Sequence, residues 1–100
     1  MYLKKGSILY VRIDYKNEDK EMTSEDFQDH LIYVKNVAEE RYLLGGGFGN
    51  IDGGMILFEA ESLEEAQKVA YSDPLIERGI YRCGVYKWEL AVLSDDIKKR

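Results

Sequence analysis

The single histidine of this 100-residue chain, His30, is the side chain best suited to move a proton near neutral pH. An imidazole changes charge close to pH 7, which suits general acid–base catalysis. Around it, apolar residues recur with helical spacing and predict one buried face. These residues are Phe27, Leu31, Val34 and Ala38. At about 100° per residue, His30 lies about 60° from the centre of that face. It could therefore reach a cavity, or it could lie on the helix surface and bond to Asp26 or Asp29.

A second candidate, Asp73, directly precedes the only proline of the chain, Pro74. An aspartate in this place accepts hydrogen bonds from the first backbone N–H groups of a helix, and proline fits the first helical position. The pair therefore predicts the N-cap of a short helical turn. This capping role does not exclude chemistry.

The first strand adds two ligand-binding candidates, Tyr10 and Arg12. Residues 7–15 alternate as a strand does, which puts Ile8, Tyr10, Arg12 and Asp14 on one face and Leu9, Val11, Ile13 and Tyr15 on the other. We assign the first set to a sheet face that no helix covers. There Arg12 could bind a carboxylate ligand through a bidentate pair. The alternative, which we favour, is an ion pair at an interface with Glu59 or Glu89.

The glycine-rich stretch 45–49 invites comparison with phosphate-binding loops. It lacks both the Lys-Ser/Thr pair and the following helix that such loops need. We expect it instead to allow close backbone approach at a strand end and to form one wall of a pocket. Gly47 and Phe48 are the ligand-binding candidates there.

The remaining composition excludes several classes of function. Acidic residues outnumber basic ones 19 to 14, giving a formal net charge of −5, so the basic face that nucleic acids require is absent from the sequence. No apolar run is long enough for a membrane span or a signal peptide, which predicts a cytoplasmic protein. Cys83 is the only cysteine, so it forms no intramolecular disulfide and is expected to pack as a small apolar residue. One histidine and scattered acids make no metal-ligand set, and we predict neither metal nor cofactor.

Hydrophobic patterning and capping residues place the elements that must position these side chains. Helices are expected to follow the caps at Thr23 or Ser24 and at Ser62, where Glu65 completes a capping box. Strands are predicted at 7–15, 42–48, 55–60 and 81–93, the last of them with a kink or a bulge near Gly84. Helices are predicted at 24–40 and 62–72, with one further turn at 75–78.

The resulting order, βαββαβ, predicts one α+β domain over residues 1–100, with its core at about 7–93 and a charged tail at 94–100. Two split β-α-β units with right-handed crossovers form an antiparallel ferredoxin-like sheet with both helices on one face. The other face would stay uncovered. If it carries Ile8 and Tyr10, an apolar face of this kind in so short a chain predicts a homodimer packed sheet to sheet.

Several of these segments together resemble the YCII-related (YciI-like) family. The resemblance covers roughly 7–88 and is carried by His30 on the first helix, Leu43-Leu44 before the glycines, the strand GMILFEA at 54–60, and SLEEAQKVAYSDPLIERG at 62–79. It implies a ferredoxin-like dimeric α/β barrel with a His–Asp active site, in which Asp73 would orient or charge His30. Characterised relatives act on chlorinated aromatic breakdown products, and muconolactone isomerases share the wider fold.

Two functions follow as hypotheses. The first is a small-molecule enzyme that uses His30 and Asp73, without metal or cofactor, for elimination or isomerisation. The alternative is a non-catalytic dimeric module that binds a small ligand or another protein. Fold alone does not decide between them. The enzyme hypothesis requires both side chains to converge on one open cavity.

Overall fold

The fold has the predicted βαββαβ order, with an extra helical turn before the last strand. The structure, a computed structural model, describes residues 3–94, so all of the predicted charged tail except residue 94 lies outside the described residues. The elements are β1 (Ile8–Lys16), α1 (Ser24–Glu40), β2 (Leu43–Gly47), β3 (Gly54–Phe58), α2 (Leu63–Tyr71), α3 (Pro74–Glu77) and β4 (Tyr81–Glu89). Among the described residues, no helix is long and apolar enough to cross a membrane.

The four strands form one antiparallel sheet in the order β2-β3-β1-β4, which is the ferredoxin-like arrangement that the sequence predicted. The predicted bulge near Gly84 is wrong, because β1 and β4 pair in one unbroken register from Ile8 opposite Glu89 to Lys16 opposite Tyr81. The Tyr86 ring lies over Gly84, so a Cβ atom there would displace the end of that exposed side chain.

The prediction that Tyr10 and Arg12 of β1 lie on the uncovered face of the sheet was wrong. Tyr10 and Arg12 are 3% and 2% exposed, and they lie on the face that the helices cover. Tyr10 belongs to the main core cluster with Phe58, against which Val34 of α1 and Val69 of α2 pack. The uncovered surface, which we call the open sheet face, is formed by Val11, Met55, Leu57, Tyr86 and Trp88. Tyr86 and Trp88 there are 52% and 45% exposed.

Helix α1 lies on the sheet in a different rotation from the one that its apolar spacing predicted. Phe27 is 41% exposed and Ala38 is also exposed, whereas His30 is half-buried. The side chains turned inwards are those of His30, Leu31, Tyr33, Val34 and Val37. Polar contacts account for the rotation, because His30 and Tyr33 both bond to residues of the α2–α3 region. His30 is therefore nearer to the centre of the inner face than its predicted edge position.

Side-chain caps fix the starts of the helices. Thr23 caps α1 in a reciprocal capping box with Asp26. Ser62 caps α2 by accepting a hydrogen bond from the backbone N–H of Glu65. The Glu65 carboxylate does not accept the predicted second capping-box bond, from the backbone N–H of Ser62; it accepts hydrogen bonds from Arg41 and from the backbone N–H of Glu61 instead. Both helix starts thus follow from local sequence.

Candidate functional site

His30 and Asp73 meet within one chain. The distance from His30 Nδ1 to Asp73 Oδ2 is 2.7 Å. His30 lies in the first half of α1, and Asp73 is the N-cap of α3. Helix α2, at nine residues, is short enough for the chain to turn into α3 beside α1. The two residues are 43 positions apart in sequence, so only the fold brings them together.

Asp73 is fully buried, and both of its carboxylate oxygens are occupied. Oδ1 accepts the backbone N–H of Leu75 at 2.9 Å, which is the capping bond that the sequence predicted. Oδ2 contacts His30 and also Arg12 Nη1, the latter at 2.9 Å. Burial by itself would raise the pKa of Asp73, but the hydrogen bond with His30 and the charge of Arg12 outweigh it and lower that pKa. Asp73 is therefore a buried carboxylate that stays ionised.

Arg12 joins Asp73 to a second carboxylate, that of Asp14. Arg12 Nε lies 2.7 Å from Asp14 Oδ1, and Nη2 lies 3.0 Å from Oδ2, so the pair is bidentate. The predicted ion pair with Glu59 or Glu89 is not formed; the Glu59 carboxylate instead accepts the N–H of Tyr42 at 2.8 Å. The direct ligand contact predicted for Arg12 stays a prediction.

Asp14 is the site residue that sequence reasoning missed. Asp14 is 7% exposed and is one of the residues that line the cavity described below. The signal was present, because residues two apart on a strand share a face. An Arg and an Asp at positions 12 and 14 could have been recognised as a pair. Burial raises the pKa of Asp14, and the hydrogen bonds from Arg12 oppose that rise without cancelling it.

A cavity of about 210 Å³ opens between α1 and the glycine-rich ends of β2 and β3. His30 and Asp14 contribute to its lining. Its other walls are mostly apolar, from Met22, Phe27, Leu31, Val34, Met55, Ile56, Leu75 and Tyr81, with a floor of Gly45, Gly46, Gly47, Gly53 and Gly54. The floor is open because β2 and β3 present backbone there.

The predicted ligand-binding residues lie at different distances from this cavity. Gly47 lines it, and a Cβ atom there would meet no neighbour closer than 3.7 Å, so a side chain would project into free space. Tyr10 and Phe48 are not among the described residues that line the cavity. Tyr10 packs in the core against Phe58, with ring centroids 6.4 Å apart. Ligand contacts by Tyr10 and Phe48 stay predictions.

The alternative surface role for His30, a bond to Asp26 or Asp29, is not what the structure shows. Arg78 takes both carboxylates, with Nη1 2.8 Å from Asp26 and Nη2 2.9 Å from Asp29. Arg78 is the C-cap of α3, whose N-cap is Asp73. Both ends of α3 are thus tied to α1, one by a buried contact and the other by exposed ion pairs.

The arrangement leaves one ring nitrogen of His30 for chemistry. Nδ1 is held by Asp73, so Nε2 is the nitrogen available to a molecule in the cavity. A carboxylate at Nδ1 favours the tautomer that carries its proton there, which leaves a lone pair on Nε2. Within the described residues, no three His, Cys, Asp or Glu side chains are grouped so as to hold a metal ion.

Comparison with known proteins agrees with this fold. The YCII-related domain matches residues 8–89. The uncharacterised protein YjpA of Bacillus subtilis (strain 168) is 31% identical over 83 residues, which are 83% of this chain and 92% of that protein. A solved structure, 5-chloro-2-hydroxyhydroquinone dehydrochlorinase (TftG) from Burkholderia phenoliruptrix AC1100 in complex with 2,5-dihydroxybenzoquinone, has a TM-score of 0.66 at 21% identity, covering 81% of this chain and 93% of that one. Because the family domain spans β1 to β4, this chain belongs to the YCII-related family.

Proposed function

We propose that this chain is a small-molecule enzyme in which His30 exchanges a proton with a substrate held in the cavity. The observation that carries the proposal is the 2.7 Å contact between His30 Nδ1 and the buried Asp73 carboxylate, at the wall of a cavity of about 210 Å³. A histidine oriented by a carboxylate and facing a partly apolar cavity is an arrangement suited to general base catalysis.

The reaction would begin when His30 Nε2 removes a proton from a carbon or from a hydroxyl oxygen of the substrate. The C–H or O–H bond breaks, its electron pair enters the substrate, and the proton is then on Nε2; for a chlorinated hydroxyhydroquinone this is an O–H proton of the keto tautomer, whose chlorinated carbon is tetrahedral. Asp73 stabilises the imidazolium that forms, because its carboxylate already holds Nδ1–H. In an elimination, the electron pair forms a double bond and expels a leaving group with its own pair. In an isomerisation, the imidazolium returns the proton to another carbon.

The size of the cavity favours a substrate with a single ring. An engineered apolar cavity of about 150 Å³ holds benzene, so about 210 Å³ suffices for one six-membered ring with small substituents. The similar structure TftG is named a dehydrochlorinase and was solved with 2,5-dihydroxybenzoquinone, a single-ring compound. Loss of HCl is an elimination of the kind that His30 would start. We therefore propose chlorinated or lactone-like single-ring substrates.

We also propose that the working form is a homodimer packed through the open sheet face. Met55, Tyr86 and Trp88 are 39%, 52% and 45% exposed there, and Val11 and Leu57 lie between them. Large apolar groups in one patch favour burial against a partner. A second copy would cover this face, and because Met55 belongs both to it and to the cavity wall, the interface would border the cavity.

The proposed function is tested with His30→Gln and Asp73→Asn, and with Gln28→Ala as a control on the exposed side of α1. Chloride release from 5-chloro-2-hydroxyhydroquinone and isomerisation of single-ring lactones are measured. We expect His30→Gln to lower turnover about 100- to 10,000-fold while the fold stays intact. Gln28→Ala should retain wild-type turnover.

Asp73→Asn tests the orienting role. Its amide oxygen would keep the cap on Leu75, so its NH₂ group would face Nδ1 of His30. The imidazole would then carry its proton on Nε2 and could no longer act as a base there. We expect turnover to fall about as far as in His30→Gln. Turnover that survives both changes refutes the proposal, and binding of these compounds without turnover by the wild type would favour the non-catalytic module.

A further inference from the structure

Asp14 is the cavity residue that the proposed chemistry leaves without a role. Both of its oxygens accept a hydrogen bond from Arg12, at 2.7 and 3.0 Å. A carboxylate oxygen has two lone pairs, so each can accept one more bond. On β3 the residue directly opposite is Gly54, which has no side chain to cover the carboxylate. Gly54 also cannot gain one easily, because a Cβ atom would lie 2.7 Å from the carbonyl oxygen of Gly46.

The charges around the cavity would act against an anionic ligand. Among the described residues that line it there is no lysine or arginine. Arg12, the cation that holds Asp14, is 2% exposed, and each of its three guanidinium nitrogens contacts a carboxylate oxygen. A carboxylate ligand would therefore meet the negative charge of Asp14 without a free lysine or arginine in the described wall to compensate. Tyr81 also lines the cavity, and its hydroxyl group is of a type that can either donate or accept a hydrogen bond.

We propose that Asp14 is a second substrate-binding residue, which accepts a hydrogen bond from a hydroxyl group of a single-ring substrate and so selects neutral hydroxylated rings against carboxylates. The proposal rests on the proposed function in one respect, that the cavity beside His30 is the substrate site. It assigns the two polar walls different tasks. His30 moves the proton, and Asp14 holds a hydroxyl of the same ring.

A purely structural Asp14 is the competing explanation. In that case its carboxylate would serve only to neutralise Arg12 and keep it against Asp73. Such a role predicts that Asp14 affects folding and the geometry of His30, but not which ring substituents bind. Ligand selectivity is therefore the property that separates the two explanations.

The experiment measures binding of three single-ring probes by NMR titration of the full chain, following the amide resonances of the glycine floor. The probes are resorcinol, its dimethyl ether (1,3-dimethoxybenzene) and benzoate. A hydrogen bond to a charged acceptor corresponds to about tenfold to hundredfold in affinity. We expect the wild type to bind resorcinol at least about tenfold more tightly than either other probe. In Asp14→Asn we expect this preference over benzoate to disappear, because the charge is removed and an N–H donor is added.

Equal binding of resorcinol and its dimethyl ether by the wild type would overturn the proposal, as would resorcinol binding that is absent up to its solubility limit. These wild-type measurements keep the test valid even if Asp14→Asn folds poorly. A folded Asp14→Asn variant with unchanged selectivity would show that Asp14 is structural. His30→Gln should keep the resorcinol preference. A preference for resorcinol without His30-dependent turnover would thus refute only the proposed enzymatic function. Turnover without that preference would refute only the proposed substrate-binding role of Asp14.

Discussion

Replacing Asp73 separates two contributions that one side chain makes to stability. Oδ1 caps α3 through the N–H of Leu75, and Oδ2 holds Arg12 and His30. Asp73→Asn can keep only the first, since its NH₂ group then lies where Oδ2 was and faces the donor Nη1 of Arg12. Asp73→Ala removes both. Ser62→Ala is a matched control, because Ser62 caps α2 by the same kind of bond but is part of no ion pair.

The magnitudes follow from these contacts. Losing a hydrogen bond to a charged group costs about 1.5–3 kcal/mol, so we expect Asp73→Asn to lower the free energy of unfolding by that amount. Loss of an N-cap costs about 0.5–2 kcal/mol. Asp73→Ala should therefore cost about 2–5 kcal/mol, a range that includes the cost of removing one partner from a buried ion pair, about 3–5 kcal/mol. Ser62→Ala should cost only the cap, about 0.5–2 kcal/mol.

Urea unfolding at pH 7, followed by circular dichroism, measures the four proteins under one condition. The expected order of stability is wild type, Ser62→Ala, Asp73→Asn, Asp73→Ala. If Asp73→Ala is no less stable than Asp73→Asn, the capping bond contributes nothing. If both Asp73 variants lie within about 0.5 kcal/mol of the wild type, as ordinary surface substitutions do, the buried network does not stabilise the fold.

Three further predictions concern pH, the α1–α3 contact and assembly. The folded-state pKa of Asp73 is lowered below 3.8, so its stabilisation is present above that value and is lost as pH falls through the lower, folded pKa. Below about pH 5 the difference in unfolding free energy between wild type and Asp73→Asn should therefore narrow as the pH falls, and a difference that widens there would contradict the sign. Arg78→Met should lower the midpoint temperature of thermal unfolding at low salt. Because Arg78 is largely exposed, the difference in midpoint from the wild type should vanish near 1 M NaCl, where the screening length is about 3 Å. A difference in midpoint that does not change with salt would instead indicate lost packing. Sedimentation should show a dimer for the wild type and a monomer for Leu57→Glu, which places a charge on the open sheet face. Ile32→Glu is the control and should stay dimeric, because Ile32 lies on α1 and is 58% exposed. A monomeric wild type would refute the dimer.

Local sequence determined the elements and most of their ends, although the last strand, predicted at 81–93, ends at Glu89. The alternation of residues 7–15 and the helical spacing after Thr23 act over a few residues, and the structure has β1 and α1 within a residue or two of the predicted bounds. The capping roles of Ser62 and Asp73 were predictable for the same reason, since a cap bonds to backbone groups only two or three positions away. Element order then restricted the topology to the ferredoxin-like sheet.

Contacts across long sequence separations decided the rest. Both faces of β1 carry apolar side chains, so alternation could show which residues share a face but not which face the helices cover. Arg12 pairs with Asp73, 61 positions away, on the helix-covered face of the sheet. Asp14 shares that face of β1 and therefore lies in the cavity wall. The rotation of α1 likewise follows from its polar contacts with the α2–α3 region, and apolar spacing carries no information about those partners. Sequence therefore supplied His30 and Asp73 as separate candidates, and only tertiary structure could join them to Arg12 and Asp14, because a buried charge is stable only where the fold brings its partner to it.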